Sequence, residues 1–173
     1  MAFPVAKTVR DLVRGRLSDA SLGFNAVHAA RAVTYGVDAI SIDFTDPSKN
    51  FLQANIDADD IMQSSIYDYP LMTLYTISTS DEVFEKAEFS GTCTVIIDVW
   101  LSWDEGNLLF DMESWAESVE DTMISIFNDR TNQDWGATVH WDSRIKASRT
   151  KIEQAGDNWR QLVSFTLVFE VTL

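Results

Sequence analysis

Four groups of side chains in this sequence are of types that do chemistry: two histidines, one cysteine, an acidic cluster and a run of bases. His28 and His140 are the only histidines, and neither sits in an H-E-x-x-H arrangement or a comparable metal-ligand spacing. A histidine without such a partner is expected to play an ordinary structural role. Cys93 is the only cysteine, so an internal disulfide and a cysteine-rich metal cluster are both ruled out. It lies in an alternating apolar run with no base or helix N-terminus nearby to stabilise a thiolate, which predicts a buried, inert thiol. The acids Asp57, Asp59 and Asp60 invite a calcium-loop reading. Counted from Asp57, however, the sixth position is Met62 rather than glycine, and the twelfth is Asp68 rather than glutamate. A solvated loop accounts for them better. The sequence contains no G-x-x-x-x-G-K-[ST] loop, no G-x-G-x-x-G and no G-x-S-x-G elbow, so phosphate cradling and nucleophile-elbow hydrolysis have no support. No metal or cofactor is expected. With so many acids, chance carboxylate pairs are common, and none is singled out for acid-base work.

The run of bases is Arg144, Lys146, Arg149 and Lys151, four of the thirteen bases within eight residues of a chain that also carries 27 acids and a net charge of −14. A chain so acidic repels a phosphate backbone. An acidic surface along a passage would keep DNA from adhering to it. The basic run reads either as a solvated arm or as an arm that meets an acidic face of a neighbouring copy. Trp100 is a second candidate for contact. It falls on the otherwise polar face of a long strand, beside Asp98 and Ser102, so either a helix of the same chain covers it or it meets another chain.

The elements that must position these residues follow from periodicity. Val5, Val9, Leu12, Val13 and Leu17 predict a helix near residues 4–17, with Pro4 suited to its first position. A second helix is expected over Ser21–Val33, weakened by Gly23 and Gly36. Ala39–Phe44 reads as a short strand with Ile40, Ile42 and Phe44 on one side. Residues 45–69 read as a long irregular insertion. Leu71–Ser78 is a strand. From Phe89 to Trp103 the odd positions are mostly apolar and the even ones mostly polar, which predicts a long strand with one wet face. Met112, Trp115, Ala116, Val119, Met123, Ile126 and Phe127 form one helical stripe, with Asp111 as its expected cap. Ala137–Trp141 and Ile145–Glu153 read as strands. Ala155-Gly156-Asp157-Asn158 is a turn, and Trp159–Leu173 is a final alternating strand. The expected fold is a single α+β domain over residues 1–173, mainly an antiparallel sheet with two or more helices packed on one face. With no apolar segment long enough to span a bilayer and no signal-like N-terminus, a soluble protein without membrane association is expected.

This layout resembles the tail-terminator (tail-completion) proteins of long-tailed bacteriophages. The resemblance lies in the opening helix Val5–Leu17, the amphipathic helix Asp111–Asn128, the aromatic-rich strand Trp135–Asp142 and the hairpin Arg144–Leu173. It is a match of pattern across most of the chain rather than of a short motif. It implies a homo-hexameric ring that caps the tail tube and stops its polymerisation. It implies a tail tube protein and a head-tail connector protein as partners, and DNA passing through the lumen without specific binding. Localisation in the virion tail or neck, after assembly in the host cytoplasm, also follows from it. The resemblance carries over no catalytic residues and so no enzyme. Two other readings fit the same pattern: another head-tail connector or neck protein, and a small α+β enzyme or ligand-binding domain that uses buried carboxylates.

Overall fold

The structure, a computed structural model, describes residues 5–45, 48–64, 66–83, 89–104, 112–128, 135, 139–141 and 145–172. The expected cap Asp111, the base Arg144 and the strand positions Ala137, Thr138, Asp142 and Leu173 lie outside the described residues, as does Pro4. The chain is an α+β fold built on one mostly antiparallel sheet. In chain order the elements are α1 (Val5–Leu17), α2 (Phe24–Tyr35), β1 (Phe51–Leu52), α3 (Ala58–Gln63), β2 (Leu71–Val83), β3 (Phe89–Asp104), α4 (Met112–Asn128), β4 (Val139–Trp141), β5 (Lys146–Arg149), β6 (Glu153–Ala155) and β7 (Asn158–Thr172).

The sheet is organised by its two longest alternating runs. β3 and β7 pair antiparallel without a slip over fifteen positions, from Ser90–Thr172 to Asp104–Asn158. A one-residue slip would turn the apolar set to the wrong face, so the two alternations lock each other's register. β2 flanks β3, with one shift between Thr76 and Ser78 that leaves Ile77 as the extra residue. β1 adds two parallel pairs to β2 at Met72 and Thr73. The far side of β7 is covered by β4, β5 and β6 in succession. Relative to β7, the covering chain carries two extra residues between β4 and β5 and one between β5 and β6. At the second irregularity the Thr150 hydroxyl accepts from the Leu162 N–H at 3.1 Å, while the Thr150 N–H donates to the Leu162 carbonyl at 3.0 Å. A side chain thus replaces one rung of the ladder. The Ile145–Glu153 strand expected from sequence is therefore two short strands, because the arm has more residues than its partner has rungs.

The odd-numbered side chains Cys93, Val95, Ile97, Val99 and Leu101 of β3 meet Val163, Phe165, Leu167 and Phe169 of β7, all buried. Onto this face pack Val9, Val13 and Leu17 of α1 and Met112, Ala116, Val119, Met123, Ile126 and Phe127 of α4. Each of the larger side chains among them contributes roughly 1.5–3 kcal/mol by leaving water. α2 lies against α4 and buries Phe24, His28 and Ala32. It ends at Gly36, whose φ of 69° is the left-handed cap that glycine adopts without steric cost.

The expected strand at 39–44 is corrected. Ile40 and Ile42 do point inward and are buried, but the segment has no ladder partner among the described residues. The alternation reported burial, not pairing.

Candidate functional site

The face of the sheet opposite α1 and α4 carries the even-numbered side chains of β3. Trp100 sits there, and residues of the same chain cover it. It is 4% exposed and packs with Ile61 and Leu71 in a second apolar cluster, edged by Leu52, Ile56, Tyr67, Tyr69 and Leu162. The cover comes from Leu52, Ile56, Ile61, Tyr67 and Tyr69 of the same chain, within the 45–69 stretch read as an irregular insertion. Of the two alternatives for Trp100, the short helix α3 and its flanks realise the first. Asp57 caps α3 by accepting from the Asp59 N–H at 2.9 Å, which explains one member of the acidic cluster. The cover is pinned to β7 by Arg160. Its guanidinium lies 4.5 Å from the Tyr69 ring centroid and donates to the Ile61 carbonyl at 3.1 Å, and the Tyr69 hydroxyl donates to the same carbonyl at 2.8 Å.

The basic arm is divided. Arg149, on β5, pairs with Val163 and so faces the helix side of the sheet. There its guanidinium donates to both carboxylate oxygens of Glu120, at 2.5 and 2.8 Å, and also to Glu113. Glu113 and Glu120 are seven residues apart on α4, hence on one side of the helix. The hydrogen bond to Glu120 is the first cause holding the Arg149 pKa above its ordinary value. Arg149 is thus an internal tie between an edge strand and a helix, its charge already paired within the chain. Lys146 pairs with Thr166 on the opposite register and is exposed; Lys151 is exposed at the irregularity before β6. Neither joins an ion pair among the described residues.

Of the candidate reactive groups, Cys93 and His28 are buried. Cys93 is fully buried, and burial pushes its thiol up to about 11. His28 is fully buried between α2 and α4. Its Nδ1 accepts from the Ile40 N–H at 3.1 Å, and its Nε2 lies 3.2 Å from the Ser118 hydroxyl. That hydroxyl donates to the Trp115 carbonyl at 2.8 Å, so it accepts from Nε2, which fixes the neutral Nε2–H tautomer. For His140 the described part is its backbone pairing with Glu170. Among the described residues no three His, Cys, Asp or Glu side chains come together to hold a metal ion. No helix there is long and apolar enough to cross a membrane.

One group escaped sequence reasoning. Asp98, on the central strand β3, is 7% exposed. The Tyr75 hydroxyl donates to its Oδ2 at 2.8 Å, while Oδ1 has no partner among the described residues. Burial is the first cause raising its carboxyl pKa, against the stabilising hydroxyls of Ser164 and Tyr75. The available signal was an acid at an even position near the middle of the longest strand, where a neighbour on both sides is unavoidable. Because the folded state disfavours ionisation, Asp98 costs stability above the carboxyl's ordinary range and nothing below it. Asp98→Asn is therefore expected to stabilise the chain by about 1 kcal/mol at pH 7. The gain should fade as the pH falls toward 4, as read from denaturant midpoints. A destabilised Asn variant at pH 7 would show instead that the charge is needed.

Compared with known proteins, the chain matches no family model, and no curated protein matches it significantly.

Proposed function

We propose that the chain is a ring-forming structural protein of the tail-terminator kind. Copies close head to tail into a hexamer that caps a phage tail tube, ends its growth and joins it to the head, and DNA passes through the opening without specific binding. The observation that carries the reading is the charge contrast at the outer edge of the sheet. Lys146 and Lys151 stand exposed beyond β7 on a chain with a net charge of −14. A heterologous contact repeated around a closed axis uses a different patch on each side of the subunit, and a basic edge on an acidic body supplies that asymmetry. The element order supports the same reading: an opening helix, an amphipathic helix laid on the sheet and a final strand inside it. Exposed pairs contribute only about 0–1 kcal/mol each, so apolar contact carries most of the affinity. Leu22 in the turn before α2, Val33 near the end of α2 and Ile124 on α4 are exposed apolar side chains of the kind required.

The test is the mass in solution by light scattering, with Lys146→Glu and Lys151→Glu combined. Arg149 is left intact, because replacing it would cut the tie to α4 and confound assembly with folding. The parent is expected to form a closed hexamer. The double variant should dissociate at low protein concentration and low salt while unfolding at the parent's denaturant midpoint. A parent that remains monomeric, with or without tail tube protein, defeats the ring.

A further inference from the structure

Residues 37–45 connect α2 to the region of β1 as an extended strap, and the partners of its backbone are unusual. The Val37 N–H bonds to the Ala32 carbonyl as α2 ends, at 3.0 Å. Beyond that point, side chains do the work. Ile40 N–H donates to His28 Nδ1. Asn25 both accepts from the Ile42 N–H and donates to the Ile42 carbonyl, each at 2.8 Å. Asn50 takes the Asp43 N–H and the Ser41 carbonyl, each at 2.9 Å, and Arg14 of α1 donates to the Phe44 carbonyl at 2.6 Å. A segment whose bonds end on four side chains lacks the cooperative ladder that holds β3 and β7, so it can open separately from the sheet.

We infer that His28 is an acid-sensitive latch for this strap: its protonation releases residues 37–45 from the helical layer before the sheet unfolds. The geometry requires it. Nδ1 is an acceptor only while unprotonated, and a proton there sets an N–H against the Ile40 N–H. Rotating the ring would not restore the bond, because both nitrogens of the cation are donors. The ring is also stacked on Phe24, with centroids 5.5 Å apart. Among the described residues no carboxylate bonds to the imidazole to stabilise a cation. From α4 it meets Ser118, with Trp115 and Thr122 completing the hydrogen-bonded turn; from the strap it meets Ile40. The charged groups of these elements are Arg31 and Asp121, which pair with each other at 3.2 Å, Glu113 and Glu120, which Arg149 holds, exposed Asp38 and Glu117, and Asp43, whose carboxylate accepts from the Thr45 N–H. In the closed state burial holds the His28 pKa down to about 4. Once the strap opens, the imidazole returns to its ordinary value near 6.5. Strap closure is therefore unaffected above that value, weakens as the pH falls from about 6.5 to about 4, and weakens no further below it.

Amide hydrogen exchange on the intact chain, followed residue by residue by NMR, tests this. Between pH 7 and pH 4.5 the protection of Ile40 and Ile42 is expected to fall by roughly 10- to 100-fold relative to Val95 and Ile97 of β3. In His28→Asn, whose carbonyl takes the place of Nδ1 and does not titrate, that relative fall should vanish. Strap and sheet amides losing protection in parallel would overturn the latch, and so would a strap indifferent to pH. If the Asn variant does not fold, the imidazole 15N shifts of the parent decide. Titration of His28 without exposure of Ile40 overturns the inference, and coincidence of the two sustains it.

Discussion

Trp100→Ala is expected to destabilise the chain by about 3–5 kcal/mol, the cost of emptying a large aromatic site that cannot fully collapse. Trp100 is 4% exposed and is the common wall of a cluster contributed by β2, β3, β7 and the cover around α3. Its loss removes apolar contact from Ile61 and Leu71, and with it the reason for residues 51–70 to lie on the sheet. Because the partners found among the described residues belong to the same chain, the loss in a urea titration should be the same at low and high protein concentration. Trp100→Phe, which keeps most of the volume, should lose much less. An alanine variant with normal unfolding but altered mass in solution would return Trp100 to the subunit interface.

Gly23→Ala is the second large effect, expected near 3 kcal/mol, the upper end of what overpacking usually costs. Gly23 precedes α2 with φ −85° and ψ −176°, a conformation any residue adopts, so the requirement is space. A Cβ there would lie 2.4 Å from the Asp19 carbonyl oxygen, 2.5 Å from that of Leu17 and 2.6 Å from the Asp19 nitrogen. These are backbone atoms of the turn between α1 and α2, and they cannot swing aside as a flexible side chain would. Gly36→Ala is the informative control. Among the described residues nothing lies within 4 Å of its added Cβ, and only the left-handed φ of 69° is penalised, at about 1 kcal/mol. Thermal or denaturant unfolding of the two variants should rank them in that order. Equal losses would mean that the turn yields, and that Gly23 matters only as a cap.

Gly23 shows where local reading went astray. In the sequence it weakened the case for a helix at Ser21–Val33, because glycine is a poor helix former. In the fold it is what allows that helix to start so close to α1. The same holds for Ile40 and Ile42: their alternation correctly reported which side is buried, but the backbone bonds went to Asn25, His28 and Asn50 rather than to a strand.

The sequence by itself determined the parts whose period matches their environment. The stripe Val9, Val13, Leu17 and the stripe from Met112 to Phe127 had to be helices with one face inside. The alternating runs of β3 and β7 had to be strands sharing that core, and all of these are found so. The inert burial of Cys93 was legible for the same reason. A periodic pattern carries its own burial direction, whatever it packs against. Only the tertiary structure decided which residues of different elements meet. It brought the aperiodic stretch 51–70 over Trp100, turned Arg149 toward Glu113 and Glu120 while leaving Lys146 and Lys151 outside, and set Asp98 beside Tyr75. Those outcomes depend on long-range register and on charge pairs formed across many residues of chain. Neither a one-dimensional period nor a local run of bases encodes them.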